Sequence, residues 1–196
     1  SLPTGSVLVQ QPYLTSIKSA ANLVLRPLVK KRKVAYSVDR APTDAEAQEL
    51  LMSWYVNIGV RSNGIVLVKD GVTLAVGTGQ QERVGAVEQA VTKALQKAHD
   101  RKLNNGKESA MDFEWTPGGL SWDQMLDKLG YNPLEGAVAS SDAFFPFRDS
   151  VDVLAQHDVT AVIQPMGSDR DFEIIQAVNE HGMAMPATLE RCFMHF

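Results

Sequence analysis

Three segments of this chain gather residue types suited to binding and chemistry. Ser141-Asp142-Ala143-Phe144-Phe145-Pro146-Phe147-Arg148-Asp149 sets three aromatics, a proline and two carboxylates within nine residues. Such a mixture makes a flat apolar slot with a polar end, the shape a planar heterocycle needs. Packing of the phenylalanines into the core is the competing explanation. Gly77-Thr78-Gly79-Gln80-Gln81-Glu82-Arg83 carries two glycines that let backbone amides approach a ligand, just ahead of a helix start that favours an anion. It lacks the full G-x-G-x-x-G pattern and the Lys-Ser/Thr ending of a phosphate loop, so a plain strand-to-helix turn is equally open. Ser62-Asn63-Gly64 places an asparagine beside a glycine at a strand start, which serves either turn chemistry or a ligand.

All three segments fall where loops leave strands, the place where α/β sheets build ligand sites. Two apolar runs, 64–68 and 72–76, flank Lys69-Asp70-Gly71, and Asp-Gly between such runs predicts a tight hairpin. Thr43 with Glu46 three residues on predicts a capped helix start, the helix running to about residue 59. Its Leu50, Leu51, Trp54, Tyr55 and Ile58 recur at helical spacing and are expected in the core. A second helix is expected over about 83–98, and a short third one opens at Ser121-Trp122-Asp123-Gln124, another capping box. Further strands are expected at 7–10, 136–139, 159–163 and 183–185, with helical segments at 151–156 and 168–181. The stretch before Val38 gives no clear signal. Apolar periodicity weakens over about 101–133, which reads as an insertion carrying one helix within a single domain spanning 1–196. This exchange of helices and strands predicts a sheet covered by helices.

Composition excludes several function classes. With 196 residues, 44% of them hydrophobic and 21% charged, the chain can bury a core of its own. A net charge of -4 argues against a nucleic-acid binder, which needs a broad basic face. The one basic run, Lys30-Lys31-Arg32-Lys33, reads as a solvated strand edge or loop, with a phosphate or partner site as the alternative. The lone Cys192 permits no intrachain disulfide and no cysteine-rich metal site. No apolar stretch approaches the roughly 20 residues that span a bilayer and no signal peptide is visible, so a cytoplasmic protein with no membrane partner is expected. The start at Ser1 predicts a processed or excised chain.

The same segments carry a resemblance. Ser141-Asp-Ala-Phe-Phe-Pro-Phe-Arg-Asp149 closely resembles a signature of the bifunctional AICAR transformylase/IMP cyclohydrolase family of purine biosynthesis. Ser62-Asn-Gly-Ile-Val66 with Gly77-Thr-Gly-Gln-Gln-Glu-Arg83 is similar to that family's Ser-Asn-x-Ile-Val and Gly-x-Gly-Gln-x-x-Arg elements. Ile163-Gln-Pro-Met-Gly-Ser-Asp-Arg-Asp171 resembles its Ile-Gln-Pro-Gly-Gly-Ser-x-Arg-Asp, and Arg191-Cys-Phe-Met-His195 its ending Arg-x-Phe-x-His.

The resemblance implies a three-layer α/β/α fold like that of cytidine deaminase, this chain being the carboxy-terminal copy of a duplicated transformylase. It implies formyl transfer from the cosubstrate 10-formyltetrahydrofolate to AICAR, whose delocalised amine needs a base and an oriented carboxamide. Asn63 and Arg83 are then expected at the AICAR base and carboxamide, Asn63 in a catalytic role, with Phe144 beside them and Arg191 on the phosphate. Val84, Pro146, Phe147 and Asp149 are expected to line the folate pocket, and Asp142 to sit near a monovalent cation, potassium. A homodimer, or a partner chain that completes the site, is also implied.

Departures from the family pattern bear on activity. The family's Lys-His-x-Asn-Pro-Cys-Gly segment is absent, and none of His99, His157, His181 and His195 follows a lysine. Met166 stands where the family has glycine, and Glu190 and Met194 alter the ending. A non-catalytic folate- or nucleotide-binding module is therefore the alternative. No cyclohydrolase activity is expected, and a zinc deaminase fails for want of Pro-Cys-x-x-Cys.

Overall fold

The computed structural model describes residues 13–103 and 120–193. The strand expected at 7–10 and residues 104–119 of the stretch 101–133 read as an insertion lie outside them, as do Met194 and His195.

A four-stranded sheet in the order β4-β3-β5-β6 organises the chain. β3 (Ile65–Lys69) and β4 (Val72–Gly77) form the expected hairpin, closed by Asp70 at φ 52° and Gly71 at φ 71°. Both turn residues being left-handed is what matches the turn to the twist of the strands. β5 (Val138–Ser141) lies antiparallel to β3, and β6 (Ala161–Ile163) runs parallel to β5.

Helices cover both faces, so the sheet is the middle of three layers. β3 is buried from Ile65 to Val68, which is why it reads as a continuous apolar run rather than an alternating one. Its Val66 and Val68 pack with Val138, Ala161 and Ile163 against α1 (Asp44–Asn57). Ile65 and Leu67 face the other way with Ala139 and Val162, toward α2 (Arg83–Leu103), α4 (Asp149–Gln156) and α5 (Asp171–Glu180). The period-two alternation thus divides one set of strands between two cores. The expected α/β class and its layering are both found.

Local chemistry sets the helix ends. Thr43 Oγ1 accepts from the Glu46 amide at 3.2 Å, and Glu46 Oε2 accepts from the Thr43 amide at 2.8 Å, the capping box of α1. Ser121 and Gln124 repeat it at α3 (Trp122–Leu129), which ends on Gly130 at φ 74°. At α5 the carboxylate of Asp171 accepts from the amides of Gly167 and Ser168, so the helix begins three residues later than the 168–181 expected.

The hairpin of β1 (Leu28–Lys31) and β2 (Val34–Ser37) occupies the stretch that gave no signal. Its turn residues Arg32 and Lys33 adopt φ 47° and 69° without the glycine or asparagine that announces such turns. Two expectations are corrected. Within 183–185 only Ala184 pairs, in an isolated parallel bridge to Ala161 of β6, rather than forming a strand, because Pro186 has no N–H to continue the ladder. Tyr55 is 44% exposed rather than core, its hydroxyl donating to the Ile17 carbonyl at 2.6 Å, whereas Leu50 and Trp54 are fully buried as expected.

Candidate functional site

The loops leaving β4 and β5 and the turn entering β3 meet at one end of the sheet around a cavity of about 410 Å³. Seven residues singled out from the sequence line it: Asn63, Arg83, Val84, Phe144, Pro146, Phe147 and Asp149. Gln81, Glu82 and Ala143 complete the wall; they lie inside the same segments and carried no separate signal.

Each side chain is positioned by its element. Gly77 ends β4 where α2 presses onto the sheet, and a Cβ there would stand 1.9 Å from the Ala86 carbonyl oxygen. That close approach starts α2 at Arg83 and aims the arginine back under the loop. Asn63 follows a cis Ser62–Asn63 peptide bond, and its Nδ2 donates to the Gln80 carbonyl at 2.8 Å, tying the turn before β3 to the glycine loop. Thr78 Oγ1 donates to the Arg61 carbonyl at 2.6 Å and makes a second tie.

The aromatic run divides its labour, which resolves the choice between core and slot. Phe145 is fully buried, while Phe144 and Phe147 turn to the cavity, Phe147 half exposed. Gln164 fixes this arrangement from below. Its Oε1 accepts from the amides of Phe145 and Met166, both at 3.3 Å, and its amide lies 3.0 Å from the Met166 sulfur. Met166 itself sits at φ 64°, a left-handed position that favours glycine, so its side chain is held there by burial against Gln164. The guanidinium of Arg191 stacks on Phe144, 4.9 Å from the ring centroid. Gly167, at φ 104°, leaves it room; a Cβ there would lie 3.5 Å from the Arg191 Nη2.

Beneath the cavity lies a buried charged cluster. Asp142 is fully buried, and its carboxylate accepts from the Ser62 hydroxyl on one oxygen and the Arg83 guanidinium on the other. Its main-chain carbonyl accepts from the Cys192 amide at 3.0 Å, so the same residue anchors the end of the described chain beside Arg191. Burial pushes the Cys192 thiol up, with the Asp142 carboxylate adding to the effect, which keeps the sulfur neutral and unreactive at ordinary pH. Ser62 is the residue that sequence reasoning treated only as part of a turn.

Among the described residues, no group of three or more His, Cys, Asp or Glu side chains comes together to hold a metal ion. The oxygens of Asp142 and Ser62 suit a hard cation in kind, but Arg83 already supplies the opposite charge. None of the described histidines reaches the cavity. His157 is buried edge-on to Trp122 at 4.8 Å, both its nitrogens without partners, and burial lowers its pKa against the pull of Asp158 and Asp123. His181 Nε2 lies 2.8 Å from the Asp152 carboxylate of α4.

The arrangement therefore offers an apolar slot between two rings, the side-chain amides of Asn63 and Gln81, the carboxylates of Glu82 and Asp149 at the rim, and two guanidinium groups. That set suits a planar, hydrogen-bonding, anionic ligand, and no histidine or lysine stands among the described residues that line it. No helix among the described residues is long and apolar enough to cross a membrane.

A family model described as "AICARFT/IMPCHase bienzyme" matches residues 4–93. Curated relatives carry the name "Bifunctional purine biosynthesis protein PurH". That of Magnetococcus marinus is 45% identical over 157 residues, covering 80% of this chain and 25% of the relative. That of Persephonella marina is 41% identical over 157 residues, covering 80% and 24%. That of Aquifex aeolicus is 39% identical over 163 residues, covering 83% and 26%. The chain thus spans about a quarter of the length of these relatives.

Proposed function

Because this chain belongs to the AICARFT/IMPCHase bienzyme family, we propose that it serves purine biosynthesis as one half of an AICAR formyltransferase site. It is read as the carboxy-terminal copy of a duplicated, cytidine-deaminase-like transformylase fold. The observation that carries this reading is the convergence of Asn63, Arg83, Phe144, Pro146, Phe147 and Asp149, drawn from three separate segments, on one cavity, with Arg191 stacked at Phe144.

In this site AICAR lies against Phe144. Asn63 and Arg83 hold its base and carboxamide, and Arg191 takes the phosphate as a planar fork of donors. The folate pterin enters beside Val84, Pro146 and Phe147, with Asp149 accepting hydrogen bonds from its ring nitrogens. Asn63 orients the carboxamide so that the amine lone pair is presented to the formyl carbon, a contribution of geometry. The proton must leave through a base supplied from outside the described residues, by a second copy of the chain or by a partner segment bearing the Lys-His pair. A potassium ion at Asp142 belongs to the same proposal, its oxygen donors being hard, with Arg83 as the competing counter-charge.

Isothermal titration of the chain with AICAR and with a 10-formylfolate analogue tests the assignment. Binding of both is expected, with Arg191→Ala weakening AICAR by more than tenfold and Asp149→Asn weakening the folate alone. Unaltered affinities in both variants would remove the site. The alternative, a folate- or nucleotide-binding module, is favoured by the missing Lys-His pair; binding without formyl transfer, even beside a segment that supplies that pair, would establish it.

A further inference from the structure

Resting on the AICAR reading of the cavity, we propose that Glu190 is a positioning residue: by clamping the chain onto residues 13–16 it presets the neighbouring Arg191 over Phe144 for a phosphate. The clamp is a single carboxylate that gathers donors from one short segment. Glu190 Oε1 accepts from the Tyr13 hydroxyl at 2.8 Å, from the Thr15 hydroxyl, and from the Ser16 amide at 3.2 Å. Oε2 accepts from the same amide at 3.1 Å and from the Ser16 hydroxyl at 2.9 Å. Burial favours the neutral acid, but the hydrogen bonds from Thr15, Tyr13 and Ser16 outweigh it and hold the Glu190 carboxyl below its ordinary range, so these are the stronger contacts of an anion.

The clamp reaches the core. Thr15 is 8% exposed, and its Oγ1 also accepts from Trp54 Nε1 and from the Ile17 amide, both at 3.2 Å. Trp54 is a fully buried residue of α1, so Glu190 is tied through Thr15 to the helix that covers the sheet. Thr188 holds the turn from the other side. Its Oγ1 donates to the Glu190 carbonyl at 2.8 Å, and its amide donates to the Gln164 carbonyl at 3.1 Å. Between these ties Leu189 is 68% exposed and stands at φ 57°, a left-handed state that a leucine adopts at a cost. Its side chain has little packing to hold that state, so the flanking contacts must.

Arg191 depends on such support. Among the described residues no carboxylate pairs with its guanidinium, and the stack on Phe144 sets its height above the ring without fixing where it lies across it. Its main chain is held on both flanks, by the Glu190 carboxylate before it and by the Cys192 amide on the Asp142 carbonyl after it. The clamp also sequesters charge. A loose carboxylate beside the arginine would compete with a phosphate for the guanidinium, whereas the oxygens of Glu190 are taken up by residues 13–16. A guanidinium that is preset and unpaired meets a phosphate without first having to be ordered.

Titration of the whole chain with AICAR and with its phosphate-free riboside tests the role. Glu190→Ala is expected to weaken AICAR by about three- to tenfold, the effect of having to order one long side chain on binding, and to leave the riboside unchanged. On an Arg191→Ala background the same replacement is expected to change AICAR affinity by less than about 1.5-fold, because the residue it positions is gone. Equal weakening of nucleotide and riboside, an unchanged AICAR affinity, or additive losses in the double variant overturns the role. Should Glu190→Ala fail to fold, Tyr13→Phe combined with Ser16→Ala removes two donors and keeps the carboxylate. A fall of about twofold or more in the nucleotide-to-riboside affinity ratio then upholds the role, and a smaller change overturns it. If the unaltered chain binds neither ligand, the AICAR reading fails, and NMR relaxation of the Arg191 Nε–Hε group decides. A group that is rigid in the unaltered chain and mobile in the variant upholds the positioning, and equal mobility in both overturns it.

Discussion

Asp142→Asn isolates the charge that holds Arg83 in place. The replacement is nearly isosteric, so it opens no cavity, and Ser62 keeps a partner on the retained oxygen. What changes is the guanidinium: Arg83 is 8% exposed and loses its counter-charge, facing an amide that is itself a donor. Breaking a buried pair from one side costs about 3–5 kcal/mol, against a total stability of about 5–15 kcal/mol for a domain. With a urea slope of about 2 kcal/mol/M, the unfolding midpoint is expected to fall by about 1.5–2.5 M. Adding Arg83→Met removes the stranded charge, and the double variant is expected to regain more than half of the loss, a coupling of about 2 kcal/mol or more. AICAR binding is expected to be lost in both, since Arg83 is either displaced or absent. A midpoint shift below about 0.5 M for Asp142→Asn, or simple additivity in the double variant, would refute the claim that this pair is the anchor of the site.

Two further outcomes are expected. The His157 ring nitrogens are buried without hydrogen-bond partners and burial holds its folded pKa below the ordinary histidine value of about 6.5, so the unfolded chain takes up its proton first. Stability from this residue is complete above pH 6.5 and falls as pH drops through that value, by up to about 1.4 kcal/mol per pH unit. His157→Phe, which keeps the edge-on contact with Trp122, is expected to flatten that slope in urea melts between pH 7 and 5; identical slopes would contradict it. Gly77→Ala drives a Cβ into the Ala86 carbonyl and is expected to cost more than 2 kcal/mol in thermal melts, while Gly79→Ala, in open space but at φ 69°, is expected to cost about 1 kcal/mol.

What could be read from the chain alone followed from how local each signal is. The Asp70-Gly71 turn and the capping boxes at Thr43 and Ser121 are satisfied by atoms within four residues, so they survive any tertiary context. The β1–β2 turn uses Arg32 and Lys33 in a backbone state that costs them energy, held by the packing of Val29 and Tyr36 on the core. No local rule points to it. The same holds within the aromatic run. Spacing alone left the three phenylalanines between core and slot, and the division was decided by Gln164, a residue nineteen positions away from Phe145 that bonds its amide. The residues that share the cavity were legible as segments because binding chemistry needs particular types. The links beneath them, Ser62 and the Cys192 amide to Asp142, are tertiary and were not.

The cavity walls also say what the site lacks in kind. Asn63 and Arg83 are donors, Phe144 and Phe147 are faces, and Glu82 and Asp149 are carboxylates exposed at the rim. An amine conjugated with a carboxamide yields its proton only to a base poised near the working pH and within hydrogen-bond reach. The described histidines sit elsewhere, one against Trp122, one on Asp152 and one on α2. Under the proposed formyltransferase reading, positioning and proton transfer are separable, and they predict different failures. A variant at Asn63 or Arg83 should weaken binding whether or not turnover occurs. A complementing segment that brings Lys-His to the rim should raise formyl transfer without changing AICAR affinity, and an affinity that rose in step with turnover would mean the slot itself is completed by that segment.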